Sequence, residues 1–329
     1  MITGKYPNLR LRRTRKYSWS RKLVQENSLS CNDLIYPIFL LEGKNRKQAV
    51  KSMPGIYKHS IDQLGMIINN VIKSKIPMIA LFPSTPENRK DEYGSEALNE
   101  NNLVCKAIRF IKKRFKNNIG IMCDVALDPY TSHGHDGLLK NNNFVLNDKT
   151  VELLTKQSLL QAQMGCDVIA PSDMMDGRIG KIRKFLDKNK YQDVQILSYA
   201  VKYASSFYGP FRDAVGSRKS LKSDKKNYQM NFANSNESLR EVALDIKEGA
   251  DIVMVKPGLP YLDIIHKVKE NFKIPVFAYQ VSGEYSLIKN GIKKKLINEE
   301  SIIESLMCFK RAGASAIVSY FALDIAKKL

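Results

Sequence analysis

The sequence has no apolar run approaching the roughly 18 residues that a membrane helix needs, so a membrane-spanning helical protein is excluded. Residues 1–19 are basic and contain no apolar segment, which does not match a secretory signal. The five cysteines (Cys31, Cys105, Cys123, Cys166 and Cys308) are odd in number, widely scattered and form no C-x-x-C pair. That usage excludes a disulfide scaffold and suits a reducing, cytoplasmic location. No G-x-G-x-x-G turn and no P-loop occurs, which removes the usual support for a doubly wound nucleotide-binding sheet. Internal repeats of 20 to 50 residues and low-complexity linkers are also missing.

What is present is an ordinary globular composition, 43% hydrophobic and 26% charged over 329 residues. An α/β barrel of about this size forms a single unit. The formal charge of +20 points, taken alone, to nucleic acid or another acidic surface. Lysine, however, is spread along the chain beside many Asn and Ile, as a general compositional bias would leave it. Only residues 1–22 concentrate it, with Lys5, Arg10, Arg12, Arg13, Arg15, Lys16, Arg21 and Lys22 before the first acid, Glu26. Tyr6, Leu9, Leu11, Tyr17, Trp19 and Leu23 lie among these charges, so the segment reads equally as a nucleic-acid contact or as an arm that wraps a partner subunit.

Eight short runs are nearly continuous in apolar residues: 33–40, 78–83, 119–127, 167–172, 194–200, 251–256, 275–282 and 316–321. Strands buried on both faces have this character and form parallel sheets. Three-to-four spacing predicts helices over 61–75, 96–115, 151–164, 238–248, 262–272 and 301–312, with Gly165 and Gly313 at C-cap positions. The alternation predicts a (β/α)8 TIM barrel over 31–329 preceded by an extended arm over 1–30. Catalytic groups of such a barrel belong at the C-terminal strand ends. There the sequence offers Asp124, Asp128, Ser172, Asp173, Lys202, Lys256, Ser282, Glu284 and Tyr320.

Lys202 closely follows run five and Lys256 ends run six, and these runs are neighbours in a barrel. Burial and a nearby like charge both disfavour an ammonium, and a neutral amine attacks ketones to give a Schiff base. A lysine that snorkels its head into solvent is the alternative. The segment from Tyr203 to Asn236 shows little regular pattern and reads as a long loop, a candidate lid over the barrel mouth.

The stretches SYAVKYASSFYGPFRDA (198–214), APSDMMDGR (170–178), GADIVMVKPGLPYLDI (249–264) and YQVSGEY (279–285) resemble the hallmark segments of the 5-aminolevulinate dehydratase (porphobilinogen synthase) family. So do NDLIYPIFL (32–40), FPSTPENRKDEYGSEA (82–97) and DVALDPYTSHGHDG (124–137), in register from about residue 8 to the C-terminus. The resemblance implies a lyase that condenses two 5-aminolevulinate molecules into porphobilinogen, for tetrapyrrole and haem synthesis. It implies Schiff bases on Lys256, holding the substrate of the propionate side, and on Lys202, holding that of the acetate side. Arg212 and Lys225, with Gln229 beside them, match a clamp on one substrate carboxylate. Ser282 and Tyr320 match the clamp on the other, and Ser172 and Asp124 join the substrate-binding set.

In the family's zinc-dependent branch cysteines occupy three positions that here are Ala126, Asp128 and Asp136. Carboxylates suit magnesium or another hard cation rather than zinc, so the expectation is no catalytic zinc, with Asp128 and Asp136 as candidate ligands or proton carriers and a monovalent cation as a further option. His133 and His135 suggest a metal site or, equally, a polar loop. Glu241 matches a glutamate that binds an allosteric magnesium ion; in isolation it is a surface helix residue near Arg240. The resemblance also implies a homo-octamer built through the arm, in balance with a hexamer, and neither nucleic-acid nor membrane partners. The rival readings are another class I Schiff-base aldolase on a TIM barrel, which would need only one lysine, and a basic nucleic-acid-binding protein, for which no binding motif exists.

Overall fold

The structure is a computed structural model that describes residues 3–141, 144–216, 221 and 224–329. Eight strands make up its centre: β1 (Leu34–Leu40), β2 (Met78–Pro83), β3 (Gly120–Val125), β4 (Val168–Pro171), β5 (Gln195–Lys202), β6 (Ile252–Lys256), β7 (Val276–Gln280) and β8 (Ala316–Ser319). Each pairs in parallel with the next, and β8 returns to β1 through Leu34↔Ile317 and Ile35↔Val318. The sheet is therefore the expected closed (β/α)8 barrel.

The helices that cover it are α1 (Leu64–Lys73), α2 (Leu103–Phe115), α3 (Asn147–Gln163), α4 (Arg178–Lys188), α5 (Asn236–Glu248), α6 (Leu262–Asn271), α7 (Ser282–Lys293) and α8 (Glu300–Ala312), with a last turn at Ala322–Ala326. Helix α2 shows how sequence becomes packing. Asn102 accepts the Cys105 N–H at 2.8 Å and opens the helix. Leu103, Val104, Ala107, Ile108 and Ile111 then fall on one stripe and are buried against the barrel. Each fully buried aliphatic side chain of this kind contributes about 1.5–3 kcal/mol. Gly313 ends α8 at φ 105°, a left-handed C-cap that a side chain would strain.

Three expectations are corrected. Helix α4 was not foreseen, because its apolar stripe is only Ile179, Ile182 and Leu186 among charges, with Arg178 itself buried. Strand β7 stops at Gln280, and Ser282 opens α7 rather than ending a strand. The Glu284 carboxylate accepts the Val281 N–H at 2.5 Å, satisfying a donor at the start of that helix. The segment 203–236 is not one irregular loop. It contains a 3-10 turn at Ser206–Tyr208 and a short helix at Gly209–Val215, while 217–220 and 222–223 lie outside the described residues.

One irregularity positions the site. Ser198 pairs with Val253, yet Val201 pairs with Val255, so three residues of β5 span two of β6. Side chains alternate along a strand, and an extra residue resets that alternation. The shift brings Lys202 into register with Lys256 on one side of the sheet, and leaves Tyr199 also facing Lys256.

Candidate active site

The two lysines emerge side by side at the C-terminal mouth of the barrel, buried, in very different surroundings. The Lys256 ammonium nitrogen lies 4.5 Å from the ring centre of Tyr279, 4.9 Å from Tyr199, 5.3 Å from Phe211 and 5.6 Å from Tyr208. Burial, and after it the Lys202 charge, bring the Lys256 pKa down to about 7, although Asp124, Asp128 and Asp136 pull the other way. An amine held there is substantially neutral at physiological pH. The aromatic faces favour a cation, so they also favour the iminium that would form on this nitrogen.

Lys202 is set among oxygens. Its Nζ donates to the Ser172 carbonyl and stands 3.7 Å from Asp136 Oδ2. Lys225 reaches the same carboxylate, with Nζ 3.2 Å from Asp136 Oδ1 and 3.4 Å from Asp128 Oδ2. Burial opposes charge on Asp136, but Lys202 and Lys225 outweigh it and hold the carboxyl well below the usual range. Burial raises Asp128, and the neighbouring Asp136 charge adds to this against the pull of Lys225. Asp124 is raised by burial more than Lys256 and Lys202 offset.

Of the expected site residues, Lys202, Lys256, Arg212, Lys225, Gln229 and Asp128 line one cavity, joined by Tyr208 and Phe211. Ser172 contributes its carbonyl to Lys202 and its hydroxyl to Asp124. Ser282 and Tyr320 lie apart from that cavity. Ser282 Oγ accepts the Phe211 N–H at 2.8 Å, pinning the Gly209–Val215 helix to α7. Gly283 permits this approach, since a Cβ there would overlap the Phe207 carbonyl. The Tyr320 hydroxyl is 3.1 Å from that of Tyr279, and its ring stacks on Phe39, which also packs on Phe211. Glu284 does not line the cavity that holds the lysines. Its carboxylate accepts from Gly258, Leu259 and Val281 N–H groups and ties the turn after Lys256 to the end of β7.

Among the described residues no group of three or more His, Cys, Asp and Glu side chains could hold a metal ion. His135 Nδ1 is 3.2 Å from the Tyr228 hydroxyl, and His133 Nε2 is 3.3 Å from the Glu92 carbonyl. Glu241 is half-buried on α5 and lines a separate cavity with Asp176 and Glu237. Cys123 is a buried core residue.

The aromatic set around Lys256 escaped the sequence reading. Tyr199 is aimed by the β5 shift, which leaves no mark in the pattern, while Tyr208 and Phe211 sit in the segment taken for irregular loop. A buried ion network was also missed. Arg178 bonds Asp245 at 3.3 and 3.4 Å and Ser198 Oγ at 3.1 Å, with Asp173 Oδ2 3.5 Å from its Nε. It clamps the outer side of β5 to α4 and α5, four residues before Lys202.

The family model described as delta-aminolevulinic acid dehydratase matches residues 8–328. The chain belongs to this family. A delta-aminolevulinic acid dehydratase of Bradyrhizobium diazoefficiens is 55% identical over 322 residues, covering 98% of this chain and 91% of the relative. One from Methanothermus sociabilis is 48% identical, covering 99% of this chain and all of the relative. The crystal structure of delta-aminolevulinic acid dehydratase from Toxoplasma gondii, in complex with its reaction product porphobilinogen, superposes with a TM-score of 0.95 at 43% identity. It covers 98% of this chain and 91% of that one. Among the described residues no helix is long and apolar enough to cross a membrane.

Proposed function

We propose that this chain condenses two molecules of 5-aminolevulinate into porphobilinogen, with loss of two waters, through Schiff bases on Lys202 and Lys256. The observation that carries the reading is the pair of buried lysines in register, one among aromatic faces and one among oxygens. Two ketone substrates need two amines. An imine is an electron sink that acidifies the adjacent carbon, as carbon–carbon bond formation requires. A class I aldolase would need one such amine and no second one beside it.

In this reading Lys256 attacks first, because its amine is neutral near pH 7. Lys202 faces the Asp136 carboxylate and the Ser172 carbonyl and acts once a second ketone displaces these partners. Asp124 and Asp128, both raised by burial, are suited to exchange protons with the reacting carbons and amines. Arg212 and Lys225 take one substrate carboxylate, with Gln229 beside them. Ser282 and Tyr320 take the other, which requires the Phe211 backbone to release the Ser282 hydroxyl; the Gly209–Val215 helix is accordingly the moving part of the lid.

Catalytic zinc does not fit. Ala126 offers no donor, no thiolate is present, and the carboxylates of Asp128 and Asp136 are engaged by Lys225. Lys225 likewise takes one oxygen of each carboxylate that a monovalent cation would use there. Magnesium fits better at Glu241. This carboxylate lines its cavity with Asp176 and Glu237, and magnesium is held by one or two carboxylates with the rest water. A magnesium ion there would supply charge that favours one assembly over another. The arm over 1–30 supports assembly into an octamer, in balance with a hexamer, since Tyr6, Leu11, Trp19 and Leu23 stand exposed on a single chain. The five free cysteines suit a reducing cytoplasm.

The test is incubation of the purified protein with 5-aminolevulinate and magnesium, without zinc, followed by detection of porphobilinogen with an aldehyde colour reagent. Product is expected from the wild type and none from Lys256→Ala. No product from the wild type, with zinc or potassium also tried, would overturn the assignment.

A further inference from the structure

Tyr199 carries a hydroxyl for which the roles above have no use. The side chain is fully buried, and its oxygen has no hydrogen-bond partner among the described residues. Asp124 Oδ1 is in the same condition. A buried polar atom without a partner costs free energy, and a phenylalanine would fill the same volume without that cost. Phe39 and Phe82, buried in the same barrel, show that this core accepts phenylalanine. The unsatisfied Tyr199 hydroxyl, on a ring that faces Lys256, therefore points to a polar group that arrives with the substrate.

Its location says which group. The Lys256 nitrogen lies 4.9 Å from the Tyr199 ring centre. The Tyr199 ring faces the space around Lys256, and the Asp124 charge acts on both side chains. Tyr199 faces that space because of the register shift in β5; strict alternation would have turned it to the opposite side from Lys202, three residues on. The atom that must sit within bonding reach of Lys256 Nζ is the ketone carbon, and its oxygen is the polar group in search of donors.

We propose that Tyr199 is a catalytic residue for imine formation at Lys256, donating a hydrogen bond from its hydroxyl to the ketone oxygen under attack, with Asp124 on the same oxygen. The inference rests on the Schiff-base reading and deepens it. The Lys256 nitrogen lone pair forms the N–C bond, and the C=O π pair moves to oxygen, where Tyr199 stabilises the developing charge. A proton passes from the nitrogen to that oxygen, giving the carbinolamine. The nitrogen lone pair then expels the hydroxyl, which takes a proton from the Asp124 carboxylic acid and leaves as water; the iminium and the Asp124 carboxylate remain. Burial keeps the Tyr199 phenol protonated throughout, as a donor must be.

The experiment compares wild type and Tyr199→Phe with 5-aminolevulinate, reading kcat and KM for porphobilinogen, the rate of borohydride-trapped adduct on the Lys256 peptide, and Tm. Loss of one donor to a developing oxyanion is expected to lower kcat and the trapping rate about 100-fold, with KM changed less than about threefold. Because the deleted hydroxyl has no partner, Tm should hold or rise. A trapping rate within about twofold of wild type would overturn the proposal. So would an activity loss accompanied by a Tm fall of more than about 5 °C, which would make the hydroxyl structural. Absence of product and adduct in the wild type itself would instead overturn the Schiff-base reading, and this inference with it.

Discussion

Lys202 and Lys256 are chemically the same residue, sit in register on adjacent strands, and are equally buried. Yet Lys256 is ringed by four aromatic faces and Lys202 by a carbonyl and a carboxylate. Burial and the Lys202 charge outweigh the nearby carboxylates and hold the Lys256 pKa at about 7, whereas Asp136 stands 3.7 Å from Lys202. The proposed reaction joins two copies of one substrate in a fixed order, which needs two nucleophiles that differ, and the two lysines differ in their neighbours.

Exchanging the amines themselves should break the comparison most severely. Lys256→Met should lower porphobilinogen formation on the order of 10⁴-fold or more. Lys202→Met should also abolish product but still permit a borohydride-trapped adduct on Lys256. A Lys256→Met protein that traps substrate on Lys202 at the wild-type rate would reverse the proposed order.

Next in size is Asp136→Asn. Removing one partner of a buried ion cluster costs about 3–5 kcal/mol, so the urea midpoint should fall clearly. The sign with pH is definite. Asp136 is held below its ordinary pKa, so its stabilisation is present above the unfolded carboxylate range, near pH 4, and is lost as the pH falls through the folded value. The variant's deficit should therefore shrink in acid; a deficit that is constant from pH 7 to pH 3 would contradict the pairing.

A subtler test moves the Lys256 titration without touching Lys256. Its trapping rate should rise with pH through about 7 and then level off as the amine loses its proton. Lys202→Met removes a like charge and should shift that inflection upward. Identical inflections in the two proteins would remove the electrostatic account. The smallest expected effect is that of Glu241→Ala, which should reduce any stimulation by magnesium by a few-fold and leave the Lys256 inflection in place.

Much of this was legible in the sequence, for identifiable reasons. The eight strands were visible because barrel strands are buried on both faces and therefore almost uninterrupted in apolar residues. Both lysines were visible because each stands at or just beyond the end of such a run. Helix α4 was hidden because a helix that buries only Ile179, Ile182, Leu186 and a paired arginine has too narrow a stripe to stand out. The surroundings that separate the two lysines were hidden for a deeper reason. The carboxylates and Lys225 come from loops after β3 and β5, and the aromatic ring set depends on a one-residue register shift that no periodicity announces. Residue identity gave the nucleophiles; only the closed barrel gave them unequal environments.

The central claim is that Lys256 is the neutral nucleophile of the pair. The most direct measurement is to mix the wild-type protein with 5-aminolevulinate at pH 7, quench with borohydride at successive short times, and map the modified lysines by peptide mass spectrometry. Lys256 should be labelled first, with Lys202 following as the second substrate binds. Labelling of Lys202 before Lys256, or of some other lysine, would contradict the account.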